Sequence, residues 1–140
     1  MLGFMRALWA LDHSLQSASK RMEARLGVTA PQRLVVRILG RFPGISAGEV
    51  SEILHLHPST LTGILQRLVE RGLVHRSADP EDARRALLEL TAKGRQLDAL
   101  RSGTVEAAVR RALQRLPTRS VRAVEEAAEL HSVELAKLGG

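Results

Sequence analysis

Residues 46 to 91 constrain the fold more than any other stretch, because two short helical patterns lead directly into two β-compatible runs. Ser46-Ala47-Gly48-Glu49 is a capping box, in which the serine hydroxyl and the glutamate carboxylate each satisfy an orphan N–H at a helix start. Val50, Ile53 and Leu54 then recur at helical spacing and predict one apolar face. A second helix begins near Pro58, whose missing N–H and fixed φ suit the first helical position. Leu61, Ile64, Leu65 and Leu68 define its inner side, and Gly72 stands where a left-handed residue would end it. At about 100° per residue, Ser59, Gly63, Gln66 and Glu70 fall opposite those leucines, flanked by Thr62 and Arg67. That outer face is small and polar near its N-terminus, which suits a helix entering a major groove about 12 Å wide.

Periodicity alone does not separate this pair from two helices of an ordinary bundle with a solvated face. The following residues do. Leu73-Val74-His75-Arg76 is short and β-compatible, Ser77 to Arg85 is polar with an Asp79-Pro80 turn signal, and Ala86-Leu87-Leu88-Glu89-Leu90 resumes an apolar run. The pattern predicts a two-stranded hairpin whose tip carries Arg84 and Arg85 toward a neighbouring minor groove or toward phosphates. The alternative for Asp82 and Arg84 is a surface salt bridge, worth roughly 0 to 1 kcal/mol.

These residues resemble the MarR-type (multiple antibiotic resistance regulator) winged-helix transcription regulators. Ser59-Thr60-Leu61-Thr62, with Leu68, Gly72-Leu73-Val74 and Arg76, is similar to that family's recognition helix and its exit. Asp79-Pro80, Asp82-x-Arg84 and Leu90-Thr91-x-x-Gly94 are similar to its wing and the start of the next helix. Two positions depart from the pattern: His57 stands at a cap where Ser or Asp is more usual, and Gly63 offers no side chain on the groove-facing side.

The fold class expected is therefore mainly α with a small β-wing, a winged helix-turn-helix plus terminal dimerisation helices. Residues 29–91 would form the DNA-binding region, and residues 1–28 with 92–140 the dimerisation region of one compact domain. The chain has a net charge of +6 and a pI near 11.1, a footprint that fits a polyanionic partner. Residues 57–95 carry seven basic and five acidic groups while residues 1–41 carry seven and two, so charge supports nucleic-acid binding without locating it. Cysteine is absent, which removes disulfides, thiolate metal sites and thiol-based peroxide sensing. Neither a long apolar run nor a leader pattern at Met1–Ala10 is seen, so the expectation is a cytoplasmic protein with no membrane association.

Residues 2 to 26 read as a first helix stopped by Gly27. Trp9 and His13, one turn apart on it, are weak candidates for a ligand pocket, with ordinary packing as the alternative. Thr29-Ala30-Pro31-Gln32 is a second capping box, opening a helix with Leu34, Val35, Ile38 and Leu39 inward. Arg33, Arg37 and Arg41 form a stripe on another side, read as solvated. Thr91 caps a helix expected to continue to about Leu116, Pro117 breaks it, and a last helix carries Val121, Val124, Ala128, Leu135 and Leu138. Apolar surface on the terminal helices exceeds what one small winged domain covers, which implies a second copy.

Catalytic patterns are missing: there is no Gly-rich phosphate loop, nucleophile elbow or His-Glu-x-x-His pair. His55 and His57, two apart, read as capping or surface residues rather than metal ligands, and neither cofactor nor metal is expected. The resemblance implies a homodimer that binds a pseudo-palindromic operator in double-stranded DNA and represses transcription until a small-molecule effector alters the spacing of its reading heads. In that scheme Pro58, Ser59, Thr60, Thr62, Gln66 and Arg67 lie at the major groove, and Asp82 orients Arg84 in the minor groove while Arg85 contacts phosphate. Two other readings stay open: an architectural DNA binder indifferent to sequence, and a protein-interaction module with a degenerate winged helix.

Overall fold

A computed structural model describes residues 1–139. The order of elements is α1 (Leu2–Leu26), α2 (Ala30–Arg41), β1 (Ile45–Ser46), α3 (Ala47–Leu54), α4 (Pro58–Glu70), β2 (Val74–Ala78), β3 (Ala86–Leu90), α5 (Ala92–Ala99), α6 (Val105–Leu113) and α7 (Thr118–Ala136). A short 3-10 turn, Lys137–Gly139, follows. Residues Met1–Val105 make one compact unit and Glu106–Gly140 a second.

Local chemistry sets most boundaries. Gly27, at φ +74, closes α1 in the left-handed region, where a residue without a Cβ is unstrained. Thr29 Oγ1 accepts from the Gln32 N–H at 3.4 Å, and Gln32 Oε1 accepts from the Thr29 N–H at 3.1 Å. Ser46 and Glu49 repeat that reciprocal cap at the start of α3. His57 caps α4 through Nδ1, which accepts from the Ser59 N–H at 3.2 Å, so the unusual residue performs the ordinary task.

The core of the first unit is formed by Val28, Val35, Val36 and Leu39 with Val50, Leu61, Leu65, Leu68, Leu88 and Leu97. Here α2, α3 and α4 close over a sheet ordered β1-β3-β2. The wing strands pair antiparallel from Val74↔Leu90 to Ala78↔Ala86. The expected two-stranded wing is thus three-stranded, because Ile45 and Ser46 pair with Leu88 and Leu87. A strand of two residues has no period by which a sequence could announce it.

Four expectations about helix faces and lengths are corrected. Leu34 is 50% exposed, whereas Val36 and Arg33 are buried, so the inward side of α2 is turned toward the arginine stripe. Of that stripe Arg33 lies inside, Arg37 is half-buried against Asp98, and Arg41 alone is exposed. Ile53, expected in the core, is 47% exposed beside Phe42. The long helix expected over 91–116 is two helices: α5 ends at Ala99, Leu100 turns extended, and Gly103 takes φ +71 before α6. At the break the carbonyls of Leu97, Asp98 and Leu100 accept from arginine side chains, and the Leu97 carbonyl also takes the Leu100 N–H at 3.1 Å in a tightened last turn.

Candidate nucleic-acid interface

The turn between α3 and α4 determines how α4 presents itself. His55 ends α3 with φ 49, the one non-glycine left-handed residue among those described, and its N–H returns to the Glu52 carbonyl at 3.3 Å. Leu61, Leu65 and Leu68 are buried against α2 and β2. Ser59, Thr60, Thr62, Gly63, Gln66 and Arg67 are all exposed. One continuous polar side therefore faces outward.

Hydrogen bonds tune that side. Thr62 Oγ1 donates to the Pro58 carbonyl at 2.8 Å, one turn back along the helix. Ser59 Oγ lies 2.7 Å from His57 Nδ1. Gln66 Nε2 donates to Glu70 Oε1 at 3.0 Å, so reading an adenine would require the amide to leave a carboxylate. For the Arg67 guanidinium the described residues hold neither an ion pair nor a hydrogen-bond partner. Pro58 is exposed at the first position of the helix.

The wing tip is a built turn. Asp79 Oδ1 accepts from the Glu81 N–H at 2.9 Å, and the Asp79 N–H donates to the Arg85 carbonyl at 3.0 Å. Asp82 Oδ1 accepts from the backbone N–H of Arg84 at 3.0 Å. The expected side-chain pair between Asp82 and Arg84 is corrected accordingly: the carboxylate shapes the tip backbone and leaves the Arg84 guanidinium unengaged among the described residues. Arg85 differs from its neighbour. Its Nη2 lies 3.1 Å from Glu49 Oε2 and its Nε 3.9 Å from Asp79 Oδ2, which ties the wing loop to α3.

Glu49 is the residue of this interface that sequence reading recognised only as a cap. Its carboxyl is held below the ordinary glutamate range, first by the Ser46 hydroxyl, next by the Ser46 N–H, and then by Arg85. The signal available was the acidic residue at the third helical position, but its second partner lies far along the chain. Beside this pair, Phe42, Pro43, Gly44, Ile45, Glu52 and Ile53 line a shallow open depression. Trp9 and His13 are both exposed on α1, away from α4 and the wing in sequence and on their own helix. Among the described residues no helix is long and apolar enough to cross a membrane.

With this geometry in hand, the comparisons with known proteins are specific. A sequence-family model described as the MarR family matches residues 26–85. The HTH-type transcriptional regulator TtmR of Methylorubrum extorquens is 37% identical over 91 residues, which is 65% of this chain and 47% of that protein. The chain thus aligns with about half the length of that relative. Transcriptional regulator HosA of Escherichia coli O111:H- is 34% identical over 93 residues, covering 66% of this chain and 69% of HosA. Among solved structures, the MepR–DNA complex of S. aureus superposes with a TM-score of 0.78 at 16% identity, over 94% of this chain and 97% of MepR. At that identity the likeness is one of fold.

Proposed function

This chain belongs to the MarR family, and on that premise we propose that it is a sequence-specific, DNA-binding transcription regulator that acts as a homodimer. The observation that carries the reading is the outward side of α4, where Ser59, Thr60, Thr62, Gln66 and Arg67 form one exposed polar row followed directly by a wing. In the major groove Arg67 pairs with guanine or phosphate, and Gln66 reads adenine once it exchanges Glu70 for the base. Arg84 enters the adjacent minor groove from a tip whose backbone Asp82 has fixed. Arg85 serves chiefly as the tether that aims the wing, with half of its side chain left open to phosphate.

The dimer is supported by apolar side chains that nothing covers in the single chain. On α1 these are Leu2, Trp9, Leu11 and Leu15; on α7 they are Val124, Leu130, Val133 and Leu135. A two-fold axis would set two recognition helices about 34 Å apart, one turn of DNA. The regulator is read as a repressor released by a small effector, with Trp9 and His13 as its first candidate contacts. Fluorescence anisotropy with DNA from upstream of the chain's own coding sequence, against shuffled DNA over a range of salt, tests the reading. A preference of about a thousandfold with two chains per site supports it, and equal affinity for both duplexes overturns sequence specificity. The absence of binding near about 100 mM salt would overturn DNA recognition altogether.

A further inference from the structure

Arg33 carries a permanent charge yet is 1% exposed. Its Nη1 donates to the Leu97 carbonyl, and its Nη2 donates to the Leu100 carbonyl at 2.9 Å and to the Asp98 carbonyl at 3.5 Å. One turn along α2, Arg37 Nη1 lies 2.6 Å from Asp98 Oδ1 and 3.2 Å from the Asp98 carbonyl. Arg101 adds a donor at 2.5 Å to that same carbonyl. These oxygens belong to the end of α5, where carbonyls lack helical partners and the dipole is negative, so cations are favoured there. A guanidinium fork can hold two of them at once, which a lysine could not do in one geometry.

The contact is close. A Cβ on Gly40 would come within 2.4 Å of Asp98 Oδ2, so only a glycine in α2 lets the Asp98 carboxylate settle against it. Beyond the grip, a Cβ on Gly103 would meet the Arg25 guanidinium at 2.9 Å. Arg33 and Arg37 of α2 thus hold residues 97–100, just before the chain leaves the unit that carries α4. Opening this grip would take from a buried cation the carbonyls that replace its water, so intermediate positions are disfavoured and the contact is either made or broken.

We propose that Arg33, with Arg37 and Asp98, is a positioning latch that sets where the chain exits the reading unit and thereby the spacing between the two recognition helices. The inference rests on the dimeric regulator proposed above. It predicts a DNA dependence that a merely structural residue would not move. One added base pair displaces a half-site by about 3.4 Å and rotates it by about 34°, so a held spacing must discriminate among spacers.

The test uses the full chain and duplexes carrying two copies of a selected half-site separated by spacers that vary one base pair at a time. Wild type should favour one spacer by about tenfold, and Arg37→Gln, Asp98→Asn and Arg33→Met should flatten that to about twofold while single half-site affinity stays unchanged. Arg37 and Asp98 are partly exposed, so their variants keep the test open if Arg33→Met fails to fold. Amide exchange at residues 101–104 is read alongside and should quicken in the same variants. An unaltered spacer profile in folded variants overturns the latch. Wild type without spacer preference would instead overturn the two-headed reading, and the latch would then stand or fall on the exchange rates, unchanged rates refuting it.

Discussion

Arg85 Nη2 lies 3.1 Å from Glu49 Oε2 across 36 positions of sequence, so one carboxylate both caps α3 and anchors the wing. Oε2 of Glu49 accepts from the Ser46 N–H at 2.8 Å and from the Ser46 hydroxyl at 2.6 Å as well. A shift at this single acid therefore reaches two parts of the interface.

The first prediction concerns pH. Glu49 has a depressed pKa in the folded chain, set first by the Ser46 hydroxyl. A group of that kind contributes stability above its unfolded pKa and loses it as pH falls through the folded value. Glu49→Gln keeps an acceptor for Ser46 and removes the charge facing Arg85. Wild type should accordingly melt above the variant at neutral pH, and the gap should shrink as pH drops below the usual glutamate value of about 4.3 and close below the depressed folded value. Thermal unfolding of both proteins at several pH values checks this, and a gap that ignores pH would mean the charge is idle.

A second prediction separates affinity from discrimination. Arg84 has a free guanidinium at the wing tip; on the proposed reading it meets DNA backbone or a narrow groove, and Arg84→Ala should then weaken specific and random DNA alike and lower the salt slope by about one. Gln66 is exposed on the polar side of α4, the side proposed to enter the major groove, so Gln66→Ala should instead erode preference between correct and substituted bases by about 1–3 kcal/mol. Anisotropy titrations on an operator, its single-base variants and random DNA distinguish the two. The same pattern of loss in both variants would abolish this division of labour.

What the sequence discloses here is mostly local. The reciprocal caps at Thr29 with Gln32 and Ser46 with Glu49, and the left-handed glycines at 27 and 72, depend on residues at most a few positions apart. Their chemistry is complete within the window that a reader scans. Arg33 is the opposite case: its burial depends on carbonyls 64 and 67 positions away, and nothing near Arg33 announces them. The same donors lie at the break in the helix expected after Thr91, whose apolar period runs on through it. The anchoring of Arg85 by Glu49 was hidden for the same reason, since each residue already had a sufficient local explanation.

Two glycines should respond in opposite directions to alanine. At Gly94 a Cβ would stand 2.1 Å from the Leu73 carbonyl oxygen, and the obstacle is backbone that also receives the Thr91 N–H. Gly94→Ala should cost about 1–3 kcal/mol or more through overpacking. Gly63 has nothing within 4 Å of a Cβ and lies within α4, so Gly63→Ala should add about 0.5–1 kcal/mol by restricting the unfolded chain. Urea unfolding of the two variants gives both numbers. Destabilisation by Gly63→Ala would mean that the recognition helix needs the freedom of glycine for a reason its surroundings do not reveal.

The final prediction tests the pairing of two chains. Leu130 and Val133 on α7 are 66% and 57% exposed, and they lie three positions apart on one side of that helix. Isolated leucines on a surface are common, but Leu130 and Val133 are neighbours on one side, while Val124 and Leu135 are exposed together on another. A carboxylate buried in a dimer contact would be desolvated without a partner, whereas on a free surface it would be nearly neutral. Leu130→Glu with Val133→Glu should therefore yield a folded monomer by sedimentation, with helical circular dichroism retained. Operator affinity should drop by about a hundredfold or more, because a monomer binds each half-site without the gain from linkage. A doubly substituted chain that still sediments as a dimer would place the contact elsewhere. One that sediments as a monomer with undiminished operator affinity would show that pairing is not what brings two reading heads to one site.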